Sequence, residues 1–159
     1  VQCITAVLVL LCVGMAPVGA HAQGEGNPSA SAVAVRGLSF GVIIPGVPET
    51  VSVQDVQRRA EVVVSGQGVA DVQLLLPREM VSAGGDVLPL VFLPGDAGLS
   101  IGPVNRPSPF DPRQRQRIRL PSEGGQLRIY LGGTAQVSPN QPAGTYSATV
   151  QVLVMKTDS

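Results

Sequence analysis

Between Gly124 and Met155 apolar residues recur at every second position, and that period restricts the backbone of this stretch to extended strands. Leu127, Ile129, Leu131, Ala135 and Val137 share one parity, while Arg128, Tyr130, Gly132, Thr134 and Gln136 share the other. Such alternation gives a strand one dry face and one wet face. Ser138 to Gly144 carries the turn residues Pro139, Asn140, Pro142 and Gly144. Tyr146, Ala148, Val150, Val152 and Val154 then alternate with Ser147, Thr149 and Gln151. The stretch reads as two long strands and their connection, for which the rest of the chain supplies partners.

Those partners follow from the same period. A first strand is expected from near Ala32, with a change of parity at Arg36 and Gly37 that predicts a bulge or a strand switch. Thr50 to Val53 reads as a short strand, and Gln54 to Arg59 as a polar connection with room for one helical turn over Val53 to Arg59. Ala60, Val62 and Val64 are expected to form a hairpin with Ala70, Val72, Leu74 and Leu76 through Gly66 and Gly68. Val87 to Leu93 is a further strand, placed on an edge or at a bulge by Pro89. Pro94 to Arg113 reads as one long irregular loop, and Arg117 to Leu120 as the hairpin partner of Gln126 to Leu131. Short strands separated by turn signals imply an all-β fold, a single antiparallel β-sandwich over residues 32–155 with a polar tail at 156–159.

Ile4 to Ala16 is a nearly continuous apolar run, followed by Pro17, Gly19 and the small residues Ala20 and Ala22 around His21. This is the pattern of a cleavable signal peptide over residues 1–22, with cleavage after Ala22, and residues 23–31 read as a flexible lead-in. The run is shorter than the roughly 20 residues that span a bilayer, so no stable membrane span is expected once it is removed. Leu11 precedes Cys12 where a lipoprotein signal has a small residue, and no lipid anchor is expected there.

Removing that segment removes Cys3, Cys12 and His21, the only cysteines and histidine of the chain. The remainder has no thiolate or imidazole for a metal, no disulfide, and no Ser-His or Cys-His nucleophile. No cofactor and no metal are expected, and the domain is expected not to be an enzyme. Eleven basic residues balance eleven acidic ones, so net charge does not point to nucleic acid.

Leu38-Ser39-Phe40-Gly41 with Ile44-Pro45-Gly46, and Tyr130-Leu131-Gly132-Gly133-Thr134 with Pro142-Ala143-Gly144-Thr145-Tyr146-Ser147, resemble a secreted bacterial family, domain of unknown function 4402. The resemblance spans most of the chain after the leader. It implies an immunoglobulin-like sandwich of the fimbrial or pilin kind, a secreted, periplasmic or cell-surface location, and a structural role, and it carries no catalytic residues. Within it, Phe40, Gly41, Gly132, Gly133, Gly144 and Tyr146 read as structural. Gly144 and Tyr146 resemble the tyrosine corner of sandwich folds. Gly132 and Gly133 imply a bulge or a close backbone approach.

Two chemical readings stand beside the structural one. Arg113, Arg115, Arg117 and Arg119 share a parity, and in the expected hairpin they would share a face with Arg128 and Tyr130. Arg117, Arg119, Arg128 and Tyr130 would then form a stripe suited to an anionic polysaccharide or surface polymer. The plainer account of the stripe is a solvated face that blocks unwanted sheet pairing. A carboxylate-dependent hydrolase needs two acids about 5 to 9 Å apart, yet Glu61, Asp71 and Glu123 read as outward positions and Asp86, Asp96 and Asp111 sit in turns. The expected protein is therefore a non-enzymatic secreted subunit whose partners are copies of itself or other surface and appendage subunits. Strand addition through Ser29 to Val35 is the expected route of self-association.

Overall fold

The computed structural model describes residues 4–13, 30–104, 106–120 and 126–157, and every regular element among them is a strand. In chain order these are β1 (Ile4–Val13), β2 (Ser31–Arg36), β3 (Leu38–Ile43), β4 (Glu49–Val51), β5 (Ala60–Ser65), β6 (Gly68–Leu75), β7 (Glu79–Ser82), β8 (Val87–Val91), β9 (Ala97–Ile101), β10 (Ser108–Phe110), β11 (Gln116–Leu120), β12 (Gln126–Leu131), β13 (Gly133–Ala135) and β14 (Gly144–Thr157). They form two packed sheets, so the alternating pattern is that of a β-sandwich. The smaller sheet has the order β10-β9-β12-β5-β2. The larger runs β11-β6-β14-β7-β8-β13-β4, with β1 laid along β14 and β3 along β1. Val62, Val64, Leu127 and Ile129 of the smaller sheet and Val72, Leu74, Val150 and Val152 of the larger pack in one core. Each such aliphatic side chain stabilises the fold by about 1.5–3 kcal/mol when fully buried.

Three of the sheet changes fall at glycines. Gly37 separates β2 in the smaller sheet from β3 in the larger, which is the strand switch expected there. Gly66 and Gln67 carry β5 across to β6, and Gly132 carries β12 across to β13. At Gly132 a Cβ would lie 2.2 Å from the Val51 carbonyl oxygen, so only glycine allows the crossing strands to approach this closely.

These crossings correct two expected hairpins. β5 pairs with β12 and β2, whereas β6 pairs with β14 and β11, so the two are not hairpin partners. β11 likewise pairs with β6 rather than with β12. An apolar parity shows that a strand faces the core but not from which side of it, because both sheets direct the same kind of residue inward. The irregular loop expected at Pro94 to Arg113 contains β9 and β10. Ala97, Leu99 and Ile101 do alternate there, but Gly98 interrupts the apolar signal. Gly98 is required because Pro107 lies over it, where a Cβ would come 2.6 Å from Pro107 Cγ. Pro89 is not on an edge either: β8 lies between β7 and β13, and the β13 ladder stops at Leu90. Arg59 N donates to Asp55 O at 2.9 Å, closing the single helical turn expected before β5. β14 continues through Lys156, which pairs with Ala70, so the strand runs into the expected tail. Most of the expected lead-in, residues 23–29, lies outside the described residues.

Candidate functional site

The arginines expected on one stripe stand in different layers. β11 is the edge strand of the larger sheet, where Arg117 and Arg119 are exposed while Ile118 and Leu120 are buried. Arg128 and Tyr130 belong to β12, the central strand of the smaller sheet. Asp71 lies 3.8 Å from Arg115 and 4.0 Å from Arg117 and offsets part of their charge. Asp111 accepts from Arg113 Nε and Nη2 at 2.9 Å, and this hydrogen bonding holds the Asp111 carboxyl below its usual range.

Arg128 and Tyr130 are held in a polar layer that seals the outer face of the smaller sheet. Glu61, opposite Tyr130 in the ladder, forms an ion pair with Arg128 and is 7% exposed. It is thus a covered partner rather than the solvated carboxylate expected from its parity. The Arg59 guanidinium lies 3.7 Å above the Tyr130 ring and donates to the carbonyls of Val53 and Val104, each at 2.7 Å. These bonds draw the segment after β9 over the sheet, and Tyr130 becomes fully buried on a face where solvent would be expected. Beside it an open cleft of about 420 Å³ is lined by Leu99, Ile101, Val104 and Leu127 with Ser100, Arg106 and Ser108. Among the described residues, no carboxylate lines it. Other acids support turns: Asp55, Asp96 and Asp111 accept backbone N–H groups at 2.7–3.2 Å.

The larger sheet contains the arrangement with the clearest functional content. Among the described strands, β3 reaches this sheet only through β1. β1 runs parallel to β14 from Ile4 opposite Gly144 to Val13 opposite Leu153, and antiparallel to β3 from Ile4 opposite Ile43 to Leu8 opposite Leu38. The register sets Leu8 between Leu38 and Ala148, Leu10 opposite Val150 and Cys12 opposite Val152. Leu38, Val150 and Val152 are all fully buried. The ladder shifts between Ala6 and Val7, opposite Phe40. Gly41 takes φ +70° at this bulge, which leaves Leu38, Phe40 and Ile43 all in the core despite their mixed parity.

The opposite wall is pinned at its base. Tyr146 donates its hydroxyl to the Pro142 carbonyl at 2.8 Å and accepts from Gln141 Nε2 at 2.9 Å. Gln141 Nε2 also donates to the Val87 carbonyl at 3.0 Å, tying the turn before β14 to β8. Gly144 and Tyr146 therefore fix where β14 begins, and Phe40 and Gly41 shape the facing strand. Gly132 and Gly133 serve a different junction, with a Cβ at Gly133 meeting Phe92 Cε1 at 2.8 Å. The sequence did contain a signal for the slot between β3 and β14. Ile4, Thr5, Val7, Val9 and Val13 are β-branched, so the run that resembles a leader is also a good strand former.

No protein-family model matches the chain, and no curated protein matches it. No helix among the described residues is long and apolar enough to cross a membrane.

Proposed function

We propose that this protein is a non-enzymatic, secreted structural subunit of a bacterial surface or appendage assembly, whose sandwich is completed by a strand taken from a partner. The observation that carries this reading is that β3 joins the larger sheet through Ile4–Val13, a segment with the composition of a cleavable leader. Once such a segment leaves, ten consecutive positions of β14, Gly144 to Leu153, lose their partner on that side. β3 loses its ladder at the same time. An apolar slot with two open backbone edges is a template for strand addition. The resemblance to secreted fimbrial-like domains supports the same reading.

Ser31–Arg36 is a poor strand donor, because as β2 it is already paired with β5. In this reading the subunit is an acceptor, and Ser31–Arg36 is not its donor. Electron microscopy and fractionation of cells lacking the gene test the role: loss of a surface structure, with the protein recovered in the surface fraction, is expected. Unchanged surface structures and a freely soluble periplasmic monomer would refute it.

A further inference from the structure

A second surface lies on β11, the edge strand of the larger sheet, and it is independent of what completes the slot between β3 and β14. Ile118 and Leu120 face the core there, so Arg117 and Arg119 project from the outer face, and Arg115 continues their row just before the strand. Alternate residues of a strand stand about 6.6 Å apart, which spreads the three guanidinium groups over roughly 13 Å. We propose that this row is a docking surface for a linear acidic polysaccharide, whose carboxylates pair in turn with Arg115, Arg117 and Arg119.

The row is only partly neutralised. In the ladder Arg117 stands opposite Asp71 and Arg119 opposite the apolar Val69. Asp71 is the one described carboxylate within 4.0 Å of the row, at 3.8 Å from Arg115 and 4.0 Å from Arg117, both beyond hydrogen-bond distance. Three cations thus share a single anion that takes none of their N–H donors. Arginines elsewhere in the fold are engaged. Arg113 donates twice to Asp111 at 2.9 Å, Arg58 donates to Asp55 at 2.7 Å, and Arg59 donates to two carbonyls at 2.7 Å. The side chains of Arg115 and Arg117 are instead 56% and 66% exposed. Guarding an edge needs charge alone, whereas forks left open in this way also fit planar carboxylates two hydrogen bonds at a time.

The chemistry of the occupant follows from the surroundings of the row. The chain has two tyrosines, three phenylalanines and no tryptophan, and none of these rings belongs to β6 or β11. The face therefore offers no platform on which a nucleic-acid base could stack. Eleven basic residues against eleven acidic ones also give no broad positive field of the kind that holds a densely charged phosphate backbone. Widely spaced cations suit sugar units that carry one carboxylate each. Gln73, whose side-chain oxygen lies 3.5 Å from Arg115 Nη2, keeps its amide N–H groups for sugar hydroxyls.

The test uses the full chain and a fluorescent oligogalacturonate, which has one carboxylate per sugar, with its methyl ester as the uncharged counterpart. Saturable binding of the acid and none of the ester is expected at low salt. Each pairing displaces roughly one counterion, so log Kd should rise against log salt with a slope of about two to three. Changing Arg115, Arg117 and Arg119 together to Gln should weaken binding about tenfold or more. Asp71→Asn removes the competing charge at constant shape and should tighten binding about threefold. Thermal melts check that both variants fold, and should the triple variant melt early, Asp71→Asn carries the test, since unchanged affinity in it overturns the proposal.

Equal binding of acid and ester, or equal binding by the parent chain and the triple variant, overturns the proposal. Absence of binding at low salt overturns it too and leaves the row an edge guard. Tighter binding of a single-stranded oligonucleotide or of polyglutamate than of the oligogalacturonate also overturns it, by assigning the row to another polyanion. All of these outcomes leave the strand-acceptor reading untouched, because β6 and β14 separate β11 from β1.

Discussion

In the smaller sheet every described strand finds its neighbours between Ser31 and Leu131, whereas the larger sheet needs a strand from the first thirteen residues to join β3 to β14. The smaller sheet also closes its own outer face, with Glu61 on Arg128 and Arg59 on Tyr130. Among the described residues, the larger sheet shows no comparable closure on the β3 side. Leu38, Phe40 and Ile43 are buried there, but their strand is held mainly by the segment next to it. Two layers that share one core thus differ in what completes them. One is completed by its own strands, and the other by Ile4–Val13 from the start of the chain.

The largest expected effect comes from removing that strand. The chain beginning at Gln23 should lose amide-exchange protection over Leu38–Ile43 and Gly144–Leu153 while β5 and β12 keep theirs. The loss should reach on the order of 5 kcal/mol within those two segments, which then open locally while the rest of the domain stays folded. Hydrogen exchange read by mass spectrometry separates the layers, and equal loss in β5 and β12 would show that they unfold as one unit.

Gly132→Ala should cost about 3 kcal/mol in urea titration, because the added methyl meets the Val51 carbonyl oxygen where the chain passes between the layers. Unlike removal of β1, it should weaken both layers together. A loss confined to one of them would mean that the crossing can shift.

Glu61→Gln probes the closed layer alone. It leaves the half-buried Arg128 charge without its carboxylate and should cost about 2 kcal/mol, without changing exchange protection over Leu38–Ile43. Reduced protection there in this variant would show that the layers are coupled.

The smallest effect is expected with pH. Asp55 accepts from Arg58 Nε at 2.7 Å, and this bond, with further help from backbone N–H groups, lowers the carboxyl from its ordinary value of 3.8. A folded value below the unfolded one contributes stability that is full above pH ~4 and is lost as pH falls through the lowered value. The same turn holds β3 through Ser39 N donating to Arg58 O at 2.9 Å, so the contribution should matter most when β1 is absent. Asp55→Asn should flatten the acid limb of stability by no more than about 1 kcal/mol, as for an exposed pair. An unchanged acid limb in thermal melts would remove this turn as a second anchor of β3.

The strands were legible wherever large apolar residues alternate without interruption, as at Ala60–Val64, Gln126–Leu131 and Tyr146–Val154. The switch at Gly37, the close approach at Gly132 and the turn held by Tyr146 were legible too, because each depends on a local residue property: no side chain, or a hydroxyl within reach of a nearby carbonyl. β9 was hidden by Gly98, whose reason for being glycine is Pro107, a contact made by the loop after the strand. The stripe of Arg117, Arg119, Arg128 and Tyr130 followed from a hairpin that does not form, and its members stand in two sheets.

By itself, then, the sequence determined that the chain is all-β, which residues face a core, and where the backbone can bend, since these follow from a two-residue period and from the conformational range of glycine. Tertiary structure alone decided which sheet each strand joins, that Tyr130 and Glu61 are covered, and that Ile4–Val13 lies between β3 and β14. Strand partners are chosen by long-range backbone hydrogen bonds, which are the same for every residue type but proline and so leave no mark in the sequence.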